Sequence, residues 1–517
     1  MDTNKRTRQK VVKVFSCFNE GTVGVQSEIE ISITPGIPTF EVIGLCGSVI
    51  RESRGRIYAA MISSGYEVPK GHIVVSISPA YLHKSGSSFD LPIAIGLLMA
   101  SGQLPEFAGK RIYAQGELSL TGFINGTPGA AARLMSMSNN KSDYDMVIIP
   151  SGEANAASIA NLEGYPLENL RQIKDLCDGL IPRQKFDAQI IEDDEADDLD
   201  FSCVKGQEKA MRALVIAACG YHSILLLGSP GCGKTTAGNV IRGLLPPLTY
   251  DEMAELYTIK EAAGISKDDG SSLCLSSVRP LRRIYPGMTP SRILGSARNM
   301  SPGELVLADH GIVLADEICD FPNYLLDCLR LPLEEHMVRM QKDGRDFNMP
   351  ARFLFVGAGN PCRCGMYYEN GSKCNCSPLV RKKYINKIAG PFADRIDLFA
   401  EMRSISSKDM YNITNSGKEN LSSVYREMVA RVWDVQKERY KDLKGARFNG
   451  LLDGSNMDLI RASSEVVKYA ADLAEKSGFS ARGYTKLLRV GRTIADMNEE
   501  KDVTCSVVAE AAAYRYR

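Results

Sequence analysis

One short stretch narrows the choice of fold more than any other. Ile224-Leu225-Leu226-Leu227 is an apolar run of strand length, and it leads straight into Gly228-Ser229-Pro230-Gly231-Cys232-Gly233-Lys234-Thr235-Thr236. A glycine-rich turn between a buried strand and a helix lets backbone N–H groups turn inward and wrap phosphate oxygens. The start of the helix adds partial positive charge. In such a loop Lys234 reaches the β- and γ-phosphates, and the Thr235 hydroxyl ligates Mg²⁺. Gly228 to Thr236 thus reads as a nucleotide-binding segment, with ATP and Mg²⁺ as its ligands.

Gly311-Ile312-Val313-Leu314-Ala315-Asp316-Glu317 supplies a second half. Alone it is an ordinary strand followed by an acidic turn. Paired with the Lys234 segment, it delivers two carboxylates to the phosphate edge of a sheet. Asp316 is then the Mg²⁺ residue and Glu317 the group that activates water. Phe353-Leu354-Phe355-Val356-Gly357-Ala358-Gly359-Asn360 reads as a third buried strand ending in a polar side chain.

These motifs, in this order, resemble the core of an AAA+ ATPase. The resemblance makes Asn360 the polar sensor beside the γ-phosphate. Gly390-Pro391-Phe392-Ala393-Asp394-Arg395 resembles the segment that carries an arginine finger, and Phe479-Ser480-Ala481-Arg482-Gly483-Tyr484 resembles the second sensor of a lid. It implies that Arg395 reaches a neighbouring subunit's nucleotide and that Arg482 contacts phosphate from the lid. More narrowly, Phe89-Asp90-Leu91-Pro92-Ile93-Ala94-Ile95-Gly96, Val204-Lys205-Gly206-Gln207-Glu208, Leu244-Leu245-Pro246-Pro247-Leu248 and Asn360-Pro361-Cys362-Arg363-Cys364-Gly365 are similar to segments of the magnesium-chelatase-like YifB/ComM family. That resemblance runs from about Val11 to the C-terminus. It implies a homo-oligomer, a hexamer, driven by ATP and working on single-stranded or branched DNA in recombination. Alternatives with the same nucleotide chemistry are a chelatase motor for metal insertion and a nucleotide-regulated DNA-binding scaffold. The sequence departs from the family where a His-His pair is usual: Arg279-Pro280-Leu281-Arg282 leads here to Arg283-Ile284-Tyr285-Pro286.

The rest of the chain reads as layered α/β structure. Val11–Val14, Ile29–Ile33 and Ile73–Ile77 are β-branched strand candidates. Phe89–Gly102 follows Ser87-Ser88 and reads as a capped helix. The run from Glu192 to Asp200 is a solvated linker by its charge. Past Met402, the segments Val424–Asp442, Met457–Lys476 and Gly483–Met497 read as helices. The expected fold class is α/β: a Lon-protease-like, catalytically inactive N-terminal domain over 11–180, an acidic linker over 181–200, an AAA+ P-loop core with a parallel sheet over 201–402, and a helical lid over 403–517. Inactivity is expected because Lys84-Ser85-Gly86-Ser87-Ser88 offers a nucleophile-like Ser88, yet the position of a Lon-type base falls near Ala131 and holds no lysine.

Cys362-Arg363-Cys364 and Cys374-Asn375-Cys376 are two paired thiols with the spacing of a tetrahedral Cys₄ site, so Cys362, Cys364, Cys374 and Cys376 are candidate ligands of a structural Zn²⁺. Between Gly270 and Gly303 acidic residues are missing, while Arg279, Arg282, Arg283, Arg292 and Arg298 surround Tyr285 and Met288. Such a patch suits either phosphate contact or a subunit face. It matters because the 517-residue chain balances 62 basic against 62 acidic side chains, so any polyanion must meet a local surface. The polar start Met1–Lys10 precedes no apolar leader, and no run approaches membrane-spanning length. A cytoplasmic protein without a membrane partner is expected.

Overall fold

The computed structural model describes residues 11–84, 86–139, 144–187, 190–191, 199–204, 206–265, 274–342, 344–369, 374–404, 420–443, 447–452 and 454–515. Of the sequence features above, Met1–Lys10, Ser85, residues 188–189 and 192–198 of the acidic linker, Lys205 and Gly270 lie outside them. The chain divides into two compact units. The first comprises Met1–Ile191 with Met253–Ser276, and the second Glu192–Glu252 with Ser277–Arg517.

In the first unit, among the described residues, eight strands form one sheet. The long pair Val11–Glu20 and Val23–Thr34 runs antiparallel at its centre. Alternation sets its faces: Val12 and Val14 are buried while Val11 is exposed. Helix Asp90–Ala100 is apolar nearly all round, and such a helix belongs inside. It is buried from Asp90 to Met99, with Gly96 allowing close approach: a Cβ there would lie 2.3 Å from Ile31 Cδ1. The expected serine cap is not used. Ser87 Oγ donates to the Glu117 carboxylate instead, and Asp90 takes Arg56 at 2.6 Å.

Met253–Ser276 is the part of this unit that an unbroken core over 201–402 does not foresee. Most of helix Tyr250–Ala262 lies in it, and Leu275–Ser276 pairs in parallel with Ile190–Ile191.

The second unit is built on a parallel sheet in the order Leu281–Ile284, Ile312–Ala315, Leu354–Gly359, Ile224–Gly228, Leu398–Met402. The central strands are buried along their length, as expected when both faces are covered. Helices Leu421–Arg439, Ser464–Ser477, Ala481–Met497 and Cys505–Ala513 form the lid, and its side chains share one apolar cluster with the sheet. Trp433 Nε1 donates to Ala218 O at 2.9 Å within that cluster. The helix read over Met457–Lys476 is two elements. Arg461 adopts φ 57°, a left-handed conformation that ends the first turn, and Ser463 caps the helix that follows by accepting from Val466 N–H. Among the described residues, no helix is long and apolar enough to cross a membrane.

Candidate nucleotide site and cysteine cluster

The parallel register brings the expected residues to one edge. Leu227 pairs with Gly359 and Ala315 with Gly357, so the loop after Gly228, the Asp316 turn and Asn360 all leave the sheet at its carboxyl end. That edge is where open α/β sheets hold their ligands. Gly231 and Gly233 have φ of 76° and 90°, and a Cβ on either would meet nothing within 4 Å. The turn is therefore open in front and made of residues that tolerate left-handed backbone. Ser229 Oγ is buried with no hydrogen-bond partner among the described residues. Lys234 Nζ folds back onto Gly228 O and Ser229 O, each at 2.8 Å.

Thr235 Oγ1 donates to Asp316 Oδ2 at 3.3 Å, which sets a hydroxyl and a carboxylate side by side as a Mg²⁺ pair requires. Asp316 Oδ1 also accepts the Glu317 N–H at 3.0 Å. Glu317 sits at φ 53° and is exposed, so its carboxylate is turned out of the strand end. Behind the turn, Cys319 Sγ–H donates to Asn360 O at 3.3 Å, and burial pushes this thiol up to about 12. These residues fit a magnesium nucleotide: an open cradle, an orphaned hydroxyl and a cation held by two carbonyls and, at 3.9 Å, the Cys232 sulfur.

The cysteine cluster adjoins this loop. Cys362 Sγ lies 3.4 Å from Cys364 Sγ and 3.7 Å from Cys374 Sγ, with 3.6 Å between Cys364 and Cys374. All four sulfurs, Cys376 included, fall within 4.8 Å of one another. A tetrahedron with metal–sulfur bonds of about 2.3 Å has edges of about 3.8 Å, so the spacing fits zinc. The Cys364 thiol is lowered to about 6, first by the Met366 backbone N–H and then by Cys362. Gly365, at φ 79°, rests on the nucleotide loop: a Cβ there would be 2.4 Å from Pro230 Cδ.

Three family models match the chain: "Magnesium chelatase, subunit ChlI" over residues 200–410, "Subunit ChlI of Mg-chelatase" over 29–153, and "Magnesium chelatase, subunit ChlI C-terminal" over 419–515. The competence protein ComM of Haemophilus influenzae is 31% identical over 510 residues, 96% of either chain. The chain belongs to the YifB/ComM family of magnesium-chelatase-like AAA+ proteins. YifB of Escherichia coli, 31% identical, aligns with 94% of this chain and 93% of its own. The magnesium-chelatase 38 kDa subunit of Cereibacter sphaeroides is 27% identical over 178 residues, 31% of this chain and 52% of its own.

The two arginines singled out by likeness to the AAA+ family meet on one acid. Arg395 Nη2 is 3.0 Å from Glu334 Oε2, and Arg482 Nη2 is 2.6 Å from Glu334 Oε1. Lys486, one turn beyond Arg482, donates to Arg395 O and to Asp397 Oδ1, each at 2.6 Å. Lys486 and Asp397 are nearly buried, and the ammonium, together with His222, holds the Asp397 carboxyl well below its ordinary value against the opposing effect of burial. Sequence reasoning missed Glu334, although there was a signal. Glu334 and Glu335 end helix Asn323–Glu335, where the helix dipole disfavours anions, so they need outside partners.

Two of the basic-segment arginines are not surface groups of the expected kind. Arg279 is buried: it donates to Pro246 O and His310 O, pairs with Glu252 at 3.1 Å and lies over the Trp433 ring. Arg282 is bound to Glu304 at 2.7 Å.

In the first unit, Ser88 is 4% exposed and Ala131 fully buried. The Ala131 N–H donates to Glu261 Oε2 at 2.8 Å, an acid from the Met253–Ser276 segment of the same unit. Lys84, also fully buried, donates to Gly44 O, Pro79 O and Leu82 O. Three carbonyls use all three donors of an ammonium, so Lys84 is committed to the fold, while burial lowers its pKa from the ordinary lysine value.

Proposed function

We propose that the chain is a ring-forming ATPase, a hexamer, that couples ATP hydrolysis to remodelling of single-stranded or branched DNA. The convergence of Lys234, Thr235, Asp316, Glu317 and Asn360 on one sheet edge carries the hydrolytic half of this reading. Magnesium ATP, when bound, supplies the phosphoryl group and the counter-charge for its oxygens. Lys234 then exchanges two carbonyls for phosphate. Thr235 and Asp316 hold Mg²⁺, Glu317 takes a proton from the attacking water, and Asn360 orients that water. Arg395, released from Glu334, reaches the nucleotide of a neighbouring subunit, and Arg482 contacts phosphate from the lid. Cys362, Cys364, Cys374 and Cys376 hold a structural Zn²⁺, which braces Pro230 through Gly365.

The DNA half is supported by near full-length similarity to a protein named for competence. The family models favour a second reading, a chelatase motor, but the 38 kDa chelatase subunit aligns with only 31% of this chain. Steady-state ATPase rates without DNA and with single strand, duplex and a four-way junction separate the readings. Stimulation by the junction together with strand exchange is expected. Stimulation without strand movement makes the protein a scaffold, and no response to any DNA removes the DNA reading. Metal analysis of protein purified without chelator should return one zinc per chain. Less than about a tenth of an equivalent would remove the zinc site, because structural zinc is normally retained.

A further inference from the structure

One edge strand of the ATPase sheet, Leu281-Arg282-Arg283-Ile284, borders a groove of 520 Å³. The sequence explains why the groove is basic. Ile284 turns into the core, while Arg283 is exposed. The chain then turns through Tyr285 and Met288 into helix Pro290–Leu294. Thr289 caps that helix by accepting from Arg292 N–H. The cap fixes the start of the short helix, and Arg292 leans back toward Glu304 at the groove wall. Among the described residues, the lining holds four arginines, Arg242, Arg282, Arg283 and Arg292, against one carboxylate, Glu304.

That carboxylate is already committed. Glu304 is buried and lies 2.7 Å from Arg282 but 3.5 Å from Arg292, whose side chain is 64% exposed. Arg283 Nη2 donates to Asn239 Oδ1 at 3.0 Å, a neutral partner that leaves its charge uncompensated. Tyr285 lines the same groove and is 51% exposed. A large aromatic side chain left half in water beside guanidinium groups is an arrangement that stacks a base while the cations take the flanking phosphates.

We propose that this groove binds single-stranded nucleic acid, with Arg283 and Arg292 on backbone phosphates and Tyr285 stacked on a base. The inference rests on the DNA reading above and gives it a place on the molecule. A single strand is favoured over a duplex because a duplex hides its base faces in the stack, leaving Tyr285 nothing to stack on. It is favoured over an acidic peptide because such a ligand uses the cations but not the ring. Arg282 holds the wall through Glu304, and its charge is spent there.

The test uses the full chain and fluorescein-labelled oligothymidylate and oligouridylate, followed by anisotropy over a range of salt. Arg283→Ala/Arg292→Ala should lower the slope of log K against log salt by about 1.4, since each phosphate contact to a single strand contributes about 0.7. Tyr285→Ala should weaken binding about 5- to 100-fold and leave the slope unchanged. Both variants should bind a fluorescent ATP analogue like the wild type, which shows that they are folded. If wild type binds and both variants bind equally well, the groove assignment falls and the DNA reading stands. If the arginine variant loses binding but Tyr285→Ala does not, the groove takes any polyanion and the nucleic-acid assignment falls. Binding of oligouridylate alone upholds the groove and overturns the DNA reading. If wild type binds neither oligonucleotide, both fall.

Discussion

The first unit and the ATPase unit each bring ionisable groups to a glycine-flanked turn ahead of a helix, and they use them in opposite ways. At Ala131 in the first unit the groups are turned on one another. Glu261 accepts the Ala131 N–H, Arg133 binds Thr127 and lies 3.6 Å from Glu153, and Glu153 accepts Gln115 and the Thr127 N–H. At Lys234 in the second unit the loop has empty space in front of Gly231 and Gly233, and a hydroxyl, Ser229, with no partner among the described residues. Burial without reactivity needs every donor matched; a site for a charged ligand needs some left over. The difference separates scaffold from chemistry better than residue type does, since both regions carry acid, base and hydroxyl groups.

The sharpest way to break this contrast is at Lys234. Lys234→Ala should abolish binding of a fluorescent ATP analogue, whereas Ser88→Ala in the first unit should leave nucleotide binding and ATPase rate unchanged. ATP-dependent casein cleavage that disappears in Ser88→Ala would restore a protease to the first unit and end the comparison. Next in size is Arg395. Arg395→Ala should bind ATP normally and lose about 10³–10⁵ in turnover, the range for a finger supplied from a neighbour. Adding Lys234→Ala subunits should recover part of the rate, because an intact Lys234 in one subunit then meets an intact Arg395 in the next. Wild-type turnover by Arg395→Ala alone would leave Arg395 as a plain partner of Glu334. Glu317→Gln should keep binding and lose about 10²–10⁴ in hydrolysis, the usual contribution of a positioned base. Unchanged hydrolysis would move that role elsewhere.

The smallest effect concerns the first unit. Burial raises the Glu261 carboxyl from 4.5 to about 7, against the lowering effect of the Ala131 N–H and Arg133. The folded chain then holds this proton more tightly than the unfolded one, so folding stability falls as pH rises from about 4.5 through about 7, by about 3 kcal/mol at most. Glu261→Gln keeps an acceptor for the Ala131 N–H and removes the charge. Its melting temperature should exceed that of wild type at pH 8 and match it near pH 4.5. Equal melting curves at both values would mean that Glu261 is solvated and that the first unit is not closed at Ala131.

What the sequence made legible was contiguous. Gly228 to Thr235 and Asp316-Glu317 carry their geometry in neighbouring residues, because a turn or a strand end is a local object. Cys362, Cys364, Cys374 and Cys376 were legible for the same reason, with two short pairs fixing the cluster. Partners were not legible. Glu334 reaches Arg395 and Arg482 across 61 and 148 positions, Glu261 reaches Ala131 across 130, and no local pattern encodes such meetings. The long helix read over Met457–Lys476 failed for a backbone reason, since apolar spacing continues through Arg461 while its φ does not.

Gly365 and Pro230 lie 135 residues apart, yet neither can be changed as if the other were absent. Any side chain at 365 would have to push Pro230 aside, and with it the turn between Ser229 and Gly231. The phosphate loop is thus half of an interlocked part whose other half is the cysteine cluster. Transplanting Gly228–Thr236 alone into another parallel sheet would move the motif and leave behind the surface that shapes it. Substitutions at 230 and at 365 should therefore be tolerated in matched combinations and rejected singly.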